Sequence, residues 1–433
     1  MPFFLFFFYF PKGPIGSTYN RWKNHPLIEV SLYAKANENW IRMDWIMDEQ
    51  WTRDLEICLE LGDRRKEFGG AVVPPTFGGT LFVYDTTDKL SEAVLNEQGN
   101  YVYTRGTNPT VETAELKMAA LERGEKCRCF SSGMAAISAA LLHSVKSGDH
   151  ILCVSNLYFS SMDLIKYLAK FGISYSVCYE TDADSIEAYI QPNTTVIFME
   201  SPSYMTFRIA DLNGITSLAR ARGIRTIIDN TWATPLFQKP LLHGVDIVVH
   251  SLSKYLGGHS DLIGGAAIAS KSIIDTLFQK EFLLLGSTLS PYEATLLLRG
   301  LRSFPYRMLE HQKNAMKVAA YLEQHPKVQT VHYPGLSSHP EYKRGEKYFT
   351  GYSGLMGFEV EGGYQGVKRV LDNFKNVKIG VSWGSFESLA LSPNTGQNEQ
   401  QLVNERINPG TIRLAVGLGS CERIIEDLEQ ALG

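Results

Sequence analysis

The chain has 433 residues, of which 44% are hydrophobic, so it is long enough to bury a sizeable core in two or three domains. Its 42 basic and 46 acidic side chains give a formal charge of −4 and form no basic block, which argues against nucleic acid as a partner. The six cysteines show no C-x-x-C pair. We therefore interpret them as reduced core thiols and expect no metal site, with a zinc site as the alternative.

The first ten residues, MPFFLFFFYF, form a very apolar run. The run falls well short of the roughly 20 residues that a membrane helix needs, and no basic start or cleavage pattern indicates a signal peptide. We interpret it as an extension or a misplaced start codon, with Met43 or Met47 as the original first residue. On this interpretation we expect a cytoplasmic protein that has no membrane partner.

The first hundred residues lack a clear alternation of strand and helix patterns. They include GGAVVPPTFGG, a Gly- and Pro-rich stretch that cannot be regular structure throughout. We expect residues 1–105 to form an N-terminal extension and an arm that contacts a partner subunit.

From about residue 106, short β-branched runs alternate with segments of helical periodicity, which is typical of a mostly parallel sheet with crossover helices. The predicted strands are HILCVSN, TTVIFMES, RTIIDNT, DIVVHS and GAAIAS. The predicted helices are VETAELKMAALER, MAAISAALLHSV and ITSLARARG, the last closed by Gly223 in a position suited to a helix C-cap. We predict a large, doubly wound α/β domain over residues 106–295.

After about residue 290 the pattern changes. A long helical stretch, SPYEATLLLRGLRSFPYRMLEHQKNAMKVAAYLEQHP, is followed by short mixed elements up to the last residue. We predict a smaller α+β domain over residues 296–433.

Polar residues follow three of the predicted strands. RTIIDNT contains Asp229, the lysine Lys254 follows DIVVHS, and KCRCF runs through a small-residue turn into a helix near Met134. Ligands in open α/β sheets bind outside the carboxyl ends of strands. A small-residue turn that opens a helix leaves unpaired N–H groups that attract an anion, so Gly133 and Met134 indicate a phosphate site to which Ser251 and Ser253 add hydroxyls.

Lys254 has two interpretations, a solvated loop lysine or a reactive amine. A lysine near apolar surface and positive charge loses its proton more easily, and the free amine can then attack a carbonyl. An amine, a carboxylate such as Asp229 and a phosphate site are together what pyridoxal phosphate requires. We therefore predict this cofactor, with Asp229 keeping its pyridine nitrogen protonated.

Six motifs in chain order carry a family resemblance. They are YTRGTNPT, SSGMAAIS, ESPS, DNTWATPLFQKP, HSLSKYLGGHSD and SWGSFESL. Together they resemble the Cys/Met-metabolism family of pyridoxal-phosphate enzymes of fold type I, from about residue 70 to the end. The resemblance implies an α/β fold that is transferase-like, with a mostly parallel sheet, flanking helices and a smaller C-terminal α+β domain.

The resemblance also implies roles for individual residues. Lys254 matches the lysine that binds the cofactor aldehyde, Asp229 matches the partner of the pyridine nitrogen, and Tyr158 matches the aromatic ring stacked on the cofactor. The phosphate ligands are matched by Gly133, Met134, Ser251 and Ser253. Lys254 and Tyr158 are the candidates for protonating the departing sulfur.

The resemblance also implies that two residues contribute to the site of a neighbouring subunit. Tyr103 and Arg105 match a tyrosine and an arginine that reach the phosphate of the neighbouring subunit, with Tyr103 also a catalytic candidate. The resemblance therefore implies a homo-oligomer whose active site is shared across a dimer, and we expect dimers to pair into a tetramer.

The substrate expected from the resemblance is a small sulfur-containing amino acid. Ser382 and Arg413 match the residues that hold its α-carboxylate, and Trp383 is a further candidate for binding the substrate. The planar guanidinium of Arg413 suits this role because it can clamp a carboxylate in one orientation.

Three departures from the common family pattern bear on the reaction. Val381 stands where γ-acting cystathionine enzymes typically have glutamate, Trp383 is shared with bacterial cystathionine β-lyase, and Tyr204 replaces the asparagine of γ enzymes. These departures favour β-elimination on cystathionine or a related cysteine thioether, which gives a thiol (homocysteine), pyruvate and ammonia.

Other reactions remain open at this point. Val381 is also compatible with methionine γ-lyase, although Phe159 and the serines after it replace the reactive cysteine expected after Tyr158. Cystathionine γ-synthase and O-acetylhomoserine sulfhydrylase are further γ-acting alternatives. A nicotinamide oxidoreductase would need the G-x-G-x-x-G motif, which the chain lacks. Intact Lys254 and Arg413 argue against a non-catalytic relative.

Overall fold

The computed structural model describes residues 32–36, 39–43 and 49–433. The chain divides into two compact units, residues 1–52 and residues 53–433. In the first unit, strands β1 (Leu32–Ala36) and β2 (Asn39–Met43) form an antiparallel hairpin. The interpretation of the first ten residues and of Met47 lies outside the described residues.

The second unit contains a seven-stranded sheet in the order β3-β9-β8-β7-β6-β4-β5. Strands β4 to β8 are mutually parallel, whereas β9 is antiparallel to both of its neighbours. The strands are β3 (Lys126–Phe130), β4 (His150–Val154), β5 (Ser174–Cys178), β6 (Thr194–Glu200), β7 (Arg225–Asp229), β8 (Ile247–Ser251) and β9 (Gly265–Ala269).

A smaller, five-stranded sheet follows in the order β10-β11-β14-β13-β12. It is antiparallel apart from the β12–β13 pair. Its strands are β10 (Val328–His332), β11 (Leu355–Val360), β12 (Lys378–Ile379), β13 (Leu389–Leu391) and β14 (Thr411–Ala415).

Fourteen α-helices are found within the described residues. They are α1 (Glu49–Glu60), α2 (Thr87–Leu95), α3 (Pro109–Glu122), α4 (Gly133–Ser144), α5 (Phe159–Leu168), α6 (Ala183–Glu187), α7 (Leu212–Ala221), α8 (Thr234–Phe237), α9 (Lys271–Leu277), α10 (Pro291–Gln324), α11 (Tyr342–Tyr348), α12 (Gly363–Asn373), α13 (Glu399–Asn404) and α14 (Cys421–Leu432). Helix α10 begins with a reciprocal cap in which Ser290 and Glu293 satisfy each other's backbone N–H groups.

The predicted fold class is confirmed. All five predicted strands are present, and Gly223 follows α7 with a φ of 67°, a left-handed conformation that glycine adopts without strain. The antiparallel β9 makes the large sheet mixed. The domain boundaries at residues 105 and 295 stay predictions; helix α10 packs against both α3 and α14.

The hydrophobic core lies on both faces of the large sheet, and one of its clusters continues into the smaller sheet. That cluster joins Ile228 and Val248 of the large sheet to Phe358 and Leu414 of the smaller one. The hydroxyl of Tyr255 accepts a hydrogen bond from Gly354 N at 2.8 Å and adds a polar link. The carboxyl ends of the large-sheet strands therefore lie against a fixed second wall.

All six cysteines fall within the described residues and are buried thiols. No group of His, Cys, Asp or Glu side chains suited to a metal ion occurs in this part of the chain. Among the helices of the described ranges, none is both long and apolar enough to span a bilayer.

Candidate active site

A cavity of about 730 Å³ opens at the carboxyl ends of three adjacent large-sheet strands, a volume typical of small-molecule sites. Glu200, Asp229 and Ser251 are the last residues of β6, β7 and β8, and all three line it. The opposite wall comes from the smaller sheet. Of the residues predicted from the sequence, the cavity brings together Gly133, Met134, Tyr158, Asp229, Ser251, Ser253, Lys254, Ser382, Trp383 and Arg413.

The predicted phosphate site lies where α4 begins. Ser132 caps this helix, its Oγ accepting a hydrogen bond from Ala135 N at 3.0 Å. A Cβ at Gly133 would lie 3.0 Å from the Cβ of Ser251, so glycine permits the close approach of helix and strand. Ser253 Oγ accepts from Gly264 N at 3.1 Å. The arrangement offers free helix N–H groups and two hydroxyls to an anion.

Lys254 lines the same cavity. Its Nζ donates a hydrogen bond to Ser382 Oγ at 2.8 Å and lies 5.6 Å from the ring centroid of Trp383. Burial, together with the nearby positive charge of Arg413, lowers the pKa of Lys254 to about 8, and Asp229 opposes this shift. A substantial fraction of the amine is therefore neutral near physiological pH.

Two residues with carboxyl side chains, buried Glu200 and half-buried Asp229, are paired neighbours on adjacent strands. Asp229 accepts a hydrogen bond from Thr231 N at 2.9 Å, and burial raises the pKa of Asp229. Burial and the charge of Asp229 raise the pKa of Glu200 well above its usual value. Because two adjacent anions in an apolar site repel, the pair favours one negative charge over two.

Glu200 is a site residue to which the sequence reasoning gave no role. Its Oε1 accepts a hydrogen bond from Tyr158 N at 2.5 Å, where α5 begins. The carboxyl therefore holds the start of the helix that carries Tyr158. Its position at the polar end of the predicted strand TTVIFMES was the signal available in the sequence.

Arg413 projects from β14 toward the loop between β12 and β13. Its Nη2 atom donates hydrogen bonds to the carbonyl oxygens of Val381 and Ser382, at 2.9 and 3.2 Å. Burial lowers the pKa of Arg413 and raises that of the neighbouring Tyr204 to about 12. The guanidinium thus fixes the loop that carries Ser382 and keeps donors free for an incoming carboxylate.

Neither Tyr103 nor Arg105 is among the described residues that line this cavity. Tyr103 is 44% exposed, and the guanidinium carbon of Arg105 lies 5.4 Å from its ring centroid. Their predicted contact with a neighbouring subunit's site stays a prediction.

A family model described as "Cys/Met metabolism PLP-dependent enzyme" matches residues 57–433. The chain belongs to this family. It is 37% identical to the L-methionine gamma-lyase of Fusobacterium nucleatum subsp. polymorphum over 85% of this chain and 95% of that protein. It is 38% identical to the cystathionine gamma-lyase of Bacillus subtilis over 77% of this chain and 88% of that protein. The predicted family is thereby confirmed.

A solved structure agrees with the fold. The crystal structure of metB from Corynebacterium glutamicum matches with a TM-score of 0.82 at 30% identity, and covers 89% of this chain and 99% of that one. Both relatives carry γ-acting names, whereas Trp383 and Tyr204 favour a β-lyase.

The protein is a pyridoxal-phosphate-dependent lyase or synthase of sulfur amino-acid metabolism. The cavity fits this cofactor because it combines an anion site at the start of α4, the low-pKa amine of Lys254 and the half-buried carboxylate of Asp229. When bound, pyridoxal phosphate accepts the electron pair released as a bond at the substrate Cα breaks.

Proposed function

We propose that the protein is a carbon–sulfur lyase that eliminates a thiol from the γ-carbon of methionine or a similar thioether amino acid. With methionine, water enters and methanethiol, 2-oxobutyrate and ammonia leave. The similarity to γ-acting enzymes over most of the chain supports γ- over β-elimination.

The observation that carries this proposal is an uncharged wall beside the reactive amine. Val381 is 85% exposed, Phe159 is 57% exposed, and both line the cavity with Tyr204. These three side chains give no ion-pair partner to the distal ammonium of cystathionine and suit the short apolar end of methionine, whereas the carboxyl of Glu387 lines another part of the cavity. Valine at position 381, where γ-acting cystathionine enzymes typically have glutamate, therefore favours a substrate with a neutral distal group.

Each site residue receives a role in this proposal. The neutral amine of Lys254 accepts the proton from the substrate Cα, since its low pKa makes it available as a base. Arg413 and Ser382 hold the α-carboxylate and so decide which Cα bond breaks. Asp229 keeps a proton on the heterocyclic nitrogen, and the hydroxyl of Tyr158 gives a proton to the departing sulfur.

The cofactor phosphate has its own set of proposed ligands. Gly133 and Met134 offer backbone N–H groups, and Ser251 and Ser253 offer hydroxyls.

A second candidate is β-elimination on cystathionine. Trp383 favours it, because this residue lines the cavity beside Lys254 and is shared with bacterial cystathionine β-lyase. Cystathionine would then yield homocysteine, pyruvate and ammonia.

The product distinguishes the two reactions. The holoenzyme is incubated separately with L-methionine, L-cystathionine and O-acetyl-L-homoserine with sulfide, and 2-oxobutyrate and pyruvate are measured by chromatography. We expect 2-oxobutyrate from methionine. Pyruvate from cystathionine, without turnover of methionine, would establish the β-lyase instead.

The role of Lys254 is tested without turnover. Borohydride reduction should fix one cofactor on the peptide that contains Lys254, as read by mass spectrometry. Lys254→Ala should not form this adduct, and its kcat should fall about a thousandfold. The control Lys271→Ala changes an exposed lysine and should retain both the adduct and the wild-type kcat. An adduct on another lysine would overturn the assignment.

A further inference from the structure

A second cavity, of about 600 Å³, lies beside the active-site cavity. We call it the side cavity; Ser155, Tyr179, Leu402 and other residues line it. Phe159, Tyr204 and Val381 line both cavities and so form the partition between them. The side cavity therefore begins where the distal end of a bound substrate would point in the proposed function.

The far wall of the side cavity is well ordered by packing. Leu402 and Ile407 are buried in a small cluster with Met205, and Tyr204 packs against that cluster. Buried side chains therefore hold this wall in place.

Hydrogen bonds tie this wall to the large sheet. Asn156, just after β4, donates from Nδ2 to Glu405 O at 2.7 Å, and its own carbonyl accepts from Tyr204 N at 3.0 Å. The segment around α13 and the partition are thus held to the same strand end, so the size of the side cavity is set by the fold.

The lining of the side cavity is aromatic, aliphatic and neutral polar over most of its surface. The charged groups that line it have partners. Asp163 and Lys166 lie 3.6 Å apart as an exposed pair, and the carboxyl of Glu405 accepts from Gln401 Nε2 at 2.9 Å. Of the described charges that line it, Glu405 alone has a neutral amide as its side-chain partner, and most of the remaining surface offers no counter-charge, so an apolar group would fit there.

One buried hydroxyl faces this space without a protein partner. Ser155 is only 2% exposed, and its Oγ has no hydrogen-bond partner among the described residues. Its φ of 59° places it in the left-handed region, which is strained for serine. Because it is unpaired, its hydroxyl is free to bond a polar atom in the cavity, such as a water molecule, and it is not a contact that an apolar substituent would use.

We propose that the side cavity is a substrate subsite that takes a large, uncharged S-substituent, such as a benzyl group. This inference rests on the proposed function, since it assumes that a thioether amino acid is bound at Lys254. The substituent passes between Phe159, Tyr204 and Val381 and contacts Leu402 and its neighbours. The enzyme should then prefer bulky thioethers to methionine in kcat/KM.

Two neighbouring glutamines give a matched pair of variants on α13. Gln401 lines the side cavity and Gln400 does not; both are exposed, and each donates one hydrogen bond to the residue four positions later. Gln401→Trp fills the mouth of the cavity, and Gln400→Trp places the same ring outside it. Neither residue lines the active-site cavity.

The kinetic test compares L-methionine, S-benzyl-L-homocysteine and S-benzyl-L-cysteine with the wild type and both variants. We expect Gln401→Trp to raise KM for the benzyl substrates by about tenfold and to leave methionine unchanged, and Gln400→Trp to change neither. Wild-type turnover of methionine without turnover of either benzyl substrate would overturn the subsite. Equal effects of Gln401→Trp on small and bulky substrates would also overturn it.

The two proposals fail separately. If only S-benzyl-L-cysteine reacts and gives pyruvate, the γ-lyase proposal fails, while a selective effect of Gln401→Trp still supports the subsite. A binding measurement removes turnover altogether: with Lys254→Ala holoenzyme, calorimetry should give a weaker Kd for S-benzyl-L-homocysteine when Gln401→Trp is added. An unchanged Kd would contradict the subsite.

Discussion

Lys254 Nζ and Ser382 Oγ are joined by a hydrogen bond of 2.8 Å that spans the two sheets. Lys254 follows β8 of the large sheet, and Ser382 lies between β12 and β13 of the small one. The serine brings no negative charge to the amine, and Arg413 brings a positive one. The reactive amine is therefore held in place by a neutral group while its charged form is disfavoured.

We expect the capture of pyridoxal phosphate by the apoprotein to depend on pH through Lys254. The neutral amine is the attacking form, and the pKa of Lys254 is lowered to about 8, so the rate should rise with pH around that value. Removing the positive charge in Arg413→Gln should move the midpoint of this rate–pH curve to higher pH. Stopped-flow absorbance measures the rate of cofactor capture for the wild type and for the variant.

The control for this pH shift is Arg406→Gln, since Arg406 is an exposed residue paired with Glu180. Its midpoint should match that of the wild type. A midpoint that stays constant or falls in Arg413→Gln would mean that Arg413 does not lower the pKa of Lys254.

A second prediction separates two roles of Glu200. Because burial and Asp229 raise its pKa well above the usual value, we expect the carboxyl to act chiefly as a neutral acceptor for Tyr158 N. Glu200→Gln keeps an acceptor oxygen and should stay within about threefold of wild-type kcat. Glu200→Ala removes the acceptor oxygen, and the lost hydrogen bond costs about 1 kcal/mol of stability. We expect this variant to lower kcat about tenfold.

Steady-state kinetics and thermal unfolding check the two Glu200 variants together. If Glu200→Gln were as damaging as Glu200→Ala, the negative charge of Glu200 would be what matters, and the proposed acceptor role would be wrong.

A third prediction concerns stability at the start of the second unit. Asp54 is buried and pairs with both Arg123 and Lys239, at 2.7 Å each. Asp54→Ala leaves two cations in a buried site, so we expect it to lower the free energy of unfolding by about 3 to 5 kcal/mol. Urea denaturation measures this, with exposed Asp88→Ala as the control. A loss below about 1 kcal/mol would mean that the cations find other partners.

Much of the site was predictable because the carboxyl ends of parallel strands meet at one edge of a sheet. Asp229, Ser251 and Lys254 follow recognisable apolar runs, and the structure places all three in one cavity. Glu200 was missed because its partner, Tyr158 N, lies 42 residues away in the sequence. Its contact depends on a register between strands that a sequence pattern does not specify.

The side cavity and the reaction type illustrate a further limit. Leu402 and Ile407 carry no motif, and they meet Tyr204 only through the packing of the C-terminal part on the large sheet. The β-lyase expectation depended largely on single positions, chiefly Trp383 and Tyr204. The volume and charge of a substrate cavity are properties of many side chains together, so such positions were weak indicators of the reaction.

The last prediction tests whether the active site is shared between subunits. Tyr103 and Arg105 are exposed and do not line the described cavity of their own chain, although the family resemblance assigns them to a neighbour's cofactor phosphate. If so, Arg105→Ala disables the neighbour's site, whereas Lys254→Ala disables its own. A mixed dimer of the two variants then keeps one intact site.

Random mixing makes half of the dimers mixed, and each of these has one intact site of two. Mixing separately inactive Arg105→Ala and Lys254→Ala subunits should therefore restore about a quarter of wild-type activity. Lys254→Ala mixed with Asp229→Asn is the matched control, because both residues line the cavity of their own chain, and it should recover nothing. No recovery in the Arg105 mixture would contradict a shared site, because Arg105 would then act on its own chain or not at all. Recovery in the control would mean that Lys254 and Asp229 do not serve the same site.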